Sequence, residues 1–153
     1  MPPPRNRPKN LAGYLAALSR PVFSAGMSWR VVDAKWDGIS RAFSDFDPHV
    51  VAAFGPDDVD RLVTNEAVIR SRPKIEAVVD NAQILLDLDA EYKGFRKYLR
   101  SHGSYDGVAA DLQKRFRYIG ETGAYTFLYT VGEEVPPHAE WAHERHPRHR
   151  RGA

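Results

Sequence analysis

What most constrains the fold of this chain is a helical rhythm of apolar residues, repeatedly stopped and restarted by capping residues and prolines. From Ser28 onward, Trp29, Val32, Trp36, Ile39 and Phe43 fall about one helical turn apart, the spacing of an amphipathic helix. Asp47-Pro48 offers an N-cap with proline at the first helical position, where its missing N–H is not needed. A short helix with Val50, Val51 and Phe54 inward is expected to follow and to stop at Gly55. Pro56-Asp57-Asp58 begins another, with Val59, Leu62 and Val63 inward and its acids at the favourable end of the helix dipole. The clearest helix is predicted over 71–87, capped by Ser71, with Ile75, Val78, Val79, Ala82 and Leu85 or Leu86 inward. Pro73 is tolerable there only because it lies in the first turn. A helix over 90–100 carries Tyr92, Phe95 and Tyr98, and Ser101-His102-Gly103-Ser104 marks a turn. Two further helices are predicted over 105–116 and 121–131. No strand-like alternation of useful length and no internal repeat interrupts this pattern, so an all-α helical bundle is expected.

The length of 153 residues and a hydrophobic content of 42% suit one compact core. No apolar run is long enough for a membrane span, and the polar, proline-rich start has no signal-peptide character before Leu11; a cytoplasmic location is expected. The absence of Cys excludes disulfides, thiol catalysis and thiolate zinc sites. The net charge of +2 conceals an asymmetry. Seven of the 22 bases lie in residues 1–10 and 145–153, which contain no acid, leaving 15 bases against 20 acids between them. The reading is therefore a single domain over 11–144 between two basic, flexible tails. Such tails either bind phosphate backbones or are simply solvated ends.

Three segments, in order, carry a resemblance to a known family. The first holds Ser24-Ala25-Gly26-Met27-Ser28-Trp29, then Phe46-Asp47-Pro48 and Val51-Ala52-Ala53. The second holds Asp58-Val59-Asp60-Arg61-Leu62-Val63, Ile69-Arg70-Ser71-Arg72-Pro73-Lys74-Ile75 and Asn81-Ala82. The third holds Arg115-Phe116-Arg117-Tyr118-Ile119-Gly120 and Tyr125-Thr126-Phe127. Together they resemble the DNA-3-methyladenine glycosylase I family of the helix-hairpin-helix superfamily. The resemblance implies an all-helical fold and removal of alkylated bases from double-stranded DNA in base-excision repair.

In helix-hairpin-helix proteins a tight turn presents the backbone N–H groups of a second helix to a DNA phosphate. The resemblance puts that turn at Tyr118-Ile119-Gly120-Glu121-Thr122-Gly123, with Ile119, Gly120, Thr122 and Gly123 as phosphate contacts and Arg117 beside them. Arg72 and Lys74 are second-choice phosphate contacts. Glu121 sets an anion against the phosphate, and the plainer reading is that Gly120 only ends a helix.

A base inside a duplex must be flipped out before its glycosidic bond is cut. The resemblance implies that Gly26 and Met27 approach the DNA and that Trp29 lines the base pocket, where an aromatic face suits a cationic base. The register of Trp29 with Val32 and Trp36 equally fits core packing.

The chain also departs from the family. Where the family has an acid in a Leu-Glu-Gly-Gln-Gln type run, this chain has Pro21. The family's N-terminal Cys, Trp and Tyr segment has no counterpart in residues 1–10. His138 matches one zinc ligand, but no Cys accompanies it, so neither metal nor other cofactor is expected. His143, His146 and His149 recur by three, but Pro147 among them argues against a metal.

Other branches of the superfamily carry an Asp well downstream of the hairpin glycine. The same count from Gly120 reaches Glu140, making it the candidate catalytic carboxylate, with Glu133 and Glu134 behind it. The plain alternative for each is a surface acid. The leading expectation is a metal-independent, monomeric glycosylase acting on 3-methyladenine or a related alkylated base. A non-catalytic DNA-binding module and a protein-interaction domain that keeps only the fold are the alternatives.

Overall fold

The computed structural model describes residues 5–145. The expected C-terminal tail, with His146 and His149, lies almost wholly outside them. The described residues form nine α-helices and no strand: α1 (Leu11–Ser24), α2 (Trp29–Ala42), α3 (Pro48–Ala52), α4 (Pro56–Val63), α5 (Arg72–Tyr92), α6 (Phe95–Leu99), α7 (Tyr105–Arg115), α8 (Glu121–Thr130) and α9 (His138–Arg145). None is long and apolar enough to cross a membrane.

α5 is the axis of the bundle. Its 21 residues span about 31 Å, and α1, α3, α4 and α6 all pack against it. Ser71 caps it by accepting the Lys74 N–H. It runs beyond the expected end at residue 87 to Tyr92. There the chain reverses through Lys93 and Gly94, with φ of 57° and 142°. Asp89 makes this reversal possible: its carbonyl accepts the Gly94 N–H and its side chain accepts the Phe95 N–H, starting α6. The helix predicted over 90–100 is therefore two pieces, the end of α5 and the short α6.

α1 was not among the expected elements, and it contains Pro21. The proline stands in the last turn, where it removes one N–H from the helical ladder without breaking the helix. Asn10 caps α1, and Leu15, Leu18, Val22 and Phe23 are fully buried. In α3 the inward residues are Pro48 and Val51; Val50, expected inward, is 42% exposed. After α2, Ser44, Asp45 and Phe46 all take left-handed φ values. This turn brings Phe46 against Phe43 at 5.6 Å and Trp36 at 5.2 Å.

Residues 5–10, expected as part of a flexible tail, lie as a strap over the C-terminal end of α8. The Asn6 N–H donates to the Thr130 carbonyl. Arg5 donates to the Glu133 carbonyl and stands 4.7 Å over the Tyr129 ring.

Candidate functional site

Two turns, far apart in sequence, meet at one end of the bundle. The first joins α1 to α2 and contains Ala25, Gly26 and Met27. Its end is set by Ser28, whose hydroxyl accepts the Arg30 N–H and caps α2, making Trp29 the first helical residue. The second joins α7 to α8 and contains Arg117, Tyr118, Ile119 and Gly120. Each turn is fastened by one side chain of α5. Lys74 donates from Nζ to the carbonyls of Phe23 at 2.9 Å and Ala25 at 2.6 Å. Asn81, 1% exposed, brackets Arg117: its Oδ1 accepts the Arg117 N–H at 2.8 Å and its Nδ2 donates to the Arg117 carbonyl at 3.1 Å. Held this way, Tyr118 adopts a left-handed φ of 60° and is 46% exposed.

Between the turns lies an open, mostly apolar cleft of about 840 Å³. Trp29 and Tyr118 stand in its wall, with Gly26 on the first turn, Gly120 on the second, and Glu121, Thr122, Gly123 and Thr126 on α8. The back is formed by Arg20, Pro21, Ser24, Ala25 and Val32. Gly123 is where α8 meets α1: a Cβ there would stand 3.3 Å from the Pro21 Cβ. Gly120 differs. Its φ of −100° is open to any residue, and an added Cβ would meet nothing within 4 Å. Nothing inside the folded chain calls for a glycine there. It is the cap of α8 but has no side chain to satisfy the first-turn N–H groups.

The structure brings five of the expected residues to the cleft: Gly26, Trp29, Gly120, Thr122 and Gly123. Trp29 is 43% exposed, so the register with Val32 does not make it a core residue. Met27 is exposed on the same turn as Gly26, outside the lining residues. Ile119 turns its side chain into the core, at 6% exposure, leaving only its backbone for any contact.

The expected cations stand outside the cleft lining and are already engaged. Arg72 pairs with Asp60 at 2.6 Å and Arg117 pairs with Asp80. Lys74 is a structural clamp, and burial pulls its ammonium below the ordinary lysine range.

Glu140, expected as the catalytic carboxylate, lies apart from the cleft. It is exposed on α9. α9 is held elsewhere: Trp141 stacks on Tyr125 at 4.6 Å, and the Tyr125 hydroxyl donates to the Pro136 carbonyl. Glu133, the second choice, is buried with its carboxylate against Arg100. Among the described residues, the one acidic residue lining the cleft is Glu121. Tyr118 and Glu121 were thus the residues that sequence reasoning passed over as site members. Their position on either side of Gly120 was the available signal.

The residues present do not fit a zinc site. The chain has no Cys, His138 contacts the rings of Tyr125 and Trp141, and among the described residues no three His, Asp or Glu converge on a point.

Residues 12–114 match the methyladenine glycosylase family. The DNA-3-methyladenine glycosylase 1 of Escherichia coli (strain K12) is 30% identical over 129 residues, covering 71% of this chain and 69% of that protein. The DNA-3-methyladenine glycosylase of Haemophilus influenzae is also 30% identical over 129 residues, covering 71% of this chain and 70% of its own. A crystal structure of 3-methyladenine DNA glycosylase I superposes with a TM-score of 0.73 at 27% identity, over 83% of this chain and 81% of the other. A variant of such an enzyme in complex with 3-methyladenine superposes with a TM-score of 0.70 at 28% identity, over 84% and 79% of the two chains.

Proposed function

The chain belongs to the methyladenine glycosylase family, and on that premise we propose that it is a DNA glycosylase releasing 3-methyladenine or a related alkylated base in base-excision repair. It acts as a monomer on double-stranded DNA. A flipped base enters the cleft and stacks on Trp29, with Gly26 and Met27 against the opened duplex. The hairpin backbone at Ile119, Gly120, Thr122 and Gly123 takes a phosphate. Arg72 and Arg117 reach flanking phosphates by exchanging their carboxylate partners, whereas Lys74 acts by holding the Ala25 carbonyl and hence the Gly26 turn.

The chemistry asked of the protein is modest. Alkylation leaves the base cationic, so the C1′–N9 bond breaks with its electron pair passing to the ring and neutralising it. A water oxygen forms the new bond to C1′ and loses its proton to solvent. The residues of the cleft orient the base and shield the bond from competing encounters.

The observation that carries this reading is Gly120, a glycine with no internal reason, beside an open cleft bearing an exposed Trp29. Space over Gly120 and uncapped N–H groups suit the close approach of an external anion. The test is release of free base from methylated duplex DNA by chelator-treated protein, read by mass spectrometry. The parent is expected to release 3-methyladenine. Trp29→Ala is expected to lower release about ten- to a hundredfold, from the loss of one stacking contact, with its fold intact because Trp29 is so exposed.

A second reading has one observation in its favour. Pro21 lines the cleft and touches α8 where a side chain capable of acid chemistry would otherwise stand. A non-catalytic module binding damaged or abasic DNA would tolerate this. Binding without base release would select it.

A further inference from the structure

α1, about 21 Å long, has the cleft at its last turn and a second recess at its first. This recess is an open groove of about 590 Å³. The strap contributes Pro8 and Lys9, α1 contributes Leu11 and Tyr14, and α6 contributes Phe95, Arg96 and Lys97. Gly13 sets the course of the strap: a Cβ there would stand 2.8 Å from the Pro8 Cβ, so a glycine is needed for the strap to lie this close.

The charge of the groove is lopsided. Lys9, Arg96, Lys97 and Arg100 line it, against one acid, Asp89. Asp89 is occupied by the Phe95 N–H, and Arg100 by Glu133. Lys9, Arg96 and Lys97 have no ion pair with any described residue. Two buried polar atoms of the groove's residues also lack a partner among the described residues: Arg96 Nε, and the hydroxyl of Tyr14, a side chain only 5% exposed. The Tyr14 ring is packed edge-on against Phe95 at 5.0 Å and is not free to turn its hydroxyl to water. Burying a polar group without a partner is costly, and here both such groups belong to a groove rimmed by free cations. A carboxylate arriving there meets the cations first and, as the Arg96 side chain shifts toward it, gives Nε and the Tyr14 hydroxyl their acceptor. Pro8 and Leu11, half-buried, offer apolar surface beside these charges.

We propose that this groove docks an acidic segment of a partner protein, one that carries several carboxylates beside an apolar residue. Cations spread along an open groove suit a row of carboxylates better than one small anion. The groove lies at the other end of α1 from the cleft, so a duplex held at the cleft leaves it uncovered. The proposal does not depend on the reading of the cleft as a base site.

The test is fluorescence polarisation of a labelled octapeptide of six aspartates and two phenylalanines, titrated with the full chain. Unlabelled peptide, duplex DNA and inorganic phosphate serve as competitors. The variants are Lys97→Glu, Tyr14→Phe and Arg41→Glu, the last an exposed cation of α2 outside the groove. The parent is expected to bind the peptide saturably. Lys97→Glu should weaken binding about tenfold and Tyr14→Phe about threefold, each with a thermal midpoint near the parent's, while Arg41→Glu binds as the parent does. Tyr14→Phe keeps the ring packing and removes only the hydroxyl, so a merely structural Tyr14 would leave binding unchanged. Absence of saturable binding overturns the proposal, as does unchanged binding by Lys97→Glu. An equal loss in Arg41→Glu overturns it by showing general charge attraction. Displacement by duplex DNA or by phosphate more readily than by unlabelled peptide overturns it too, making the groove a nucleic-acid surface in the first case and a simple anion site in the second.

Discussion

The two turns that face each other across the cleft are fastened by the same helix in different ways. Lys74 and Asn81 lie about two helical turns apart on α5. Lys74 holds the α1–α2 turn with a partly exposed charge on two carbonyls. Asn81 holds the hairpin turn with a neutral amide, buried and reciprocal. The difference teaches which turn the fold treats as fixed. Water can replace much of what the Lys74 ammonium provides, but it does not easily displace the buried Asn81 amide that pairs a donor and an acceptor of the hairpin at once. The hairpin is thus the rigid wall and the Gly26 turn the yielding one.

The sharpest way to break this contrast is Asn81→Ala. It takes both partners from the Arg117 N–H and carbonyl in a part-buried place and opens a cavity where Asn81 stood, and stability should fall by about 2 kcal/mol, read by urea denaturation. Amide exchange should accelerate at 117–123 more than at 24–29. Next is Lys74→Met, which keeps most of the packing and should cost about 1 kcal/mol, with faster exchange confined to the Gly26 turn. A loss in Lys74→Met equal to that in Asn81→Ala would remove the distinction between the walls.

The pH dependence sharpens it further. Burial lowers the Lys74 proton affinity, so as pH rises the folded state releases this proton before the unfolded chain does. Where the unfolded chain binds more protons, stability grows with pH. The parent should therefore gain stability relative to Lys74→Met as pH rises into the alkaline range below the ordinary lysine pKa, and lose that gain as pH falls. The difference between parent and Asn81→Ala should stay flat over the same range. The smallest effect is expected for Gly123→Ala. Better helix propensity offsets the tight contact with Pro21, and stability should stay within about 0.5 kcal/mol of the parent. A larger loss would mean that the α1–α8 contact, and not Asn81, sets the hairpin's position.

Much of this molecule was legible in its sequence because helices announce themselves locally. Asp47-Pro48, Pro56-Asp57-Asp58 and Ser71 mark real helix starts, and the buried faces of α4 and α5 follow their periodicity. α1 went unexpected although Leu11, Leu15, Leu18 and Val22 recur at helical spacing, and its one proline, in the last turn, is tolerated. The site was legible where it depends on backbone, at Gly26, Gly120 and Gly123. It was not legible where it depends on which carboxylate reaches a shared space. Counting along the chain led to Glu140, whereas the position of α9 is decided by Trp141 packing on Tyr125. Arg72 and Arg117 read as free cations because Asp60 and Asp80 are distant in sequence.

The strap formed by residues 5–10 bears on how the chain reaches its final state. Arg5 binds the Glu133 carbonyl across a separation of 128 residues, and Asn6 meets Thr130. A ribosome makes the strap before its docking place, so these residues must wait while every helix through α8 is made. Closing so long a loop carries a high entropic cost unless the intervening chain is already compact. The strap is therefore a late latch on a finished bundle, docking only after the helices that follow it have packed.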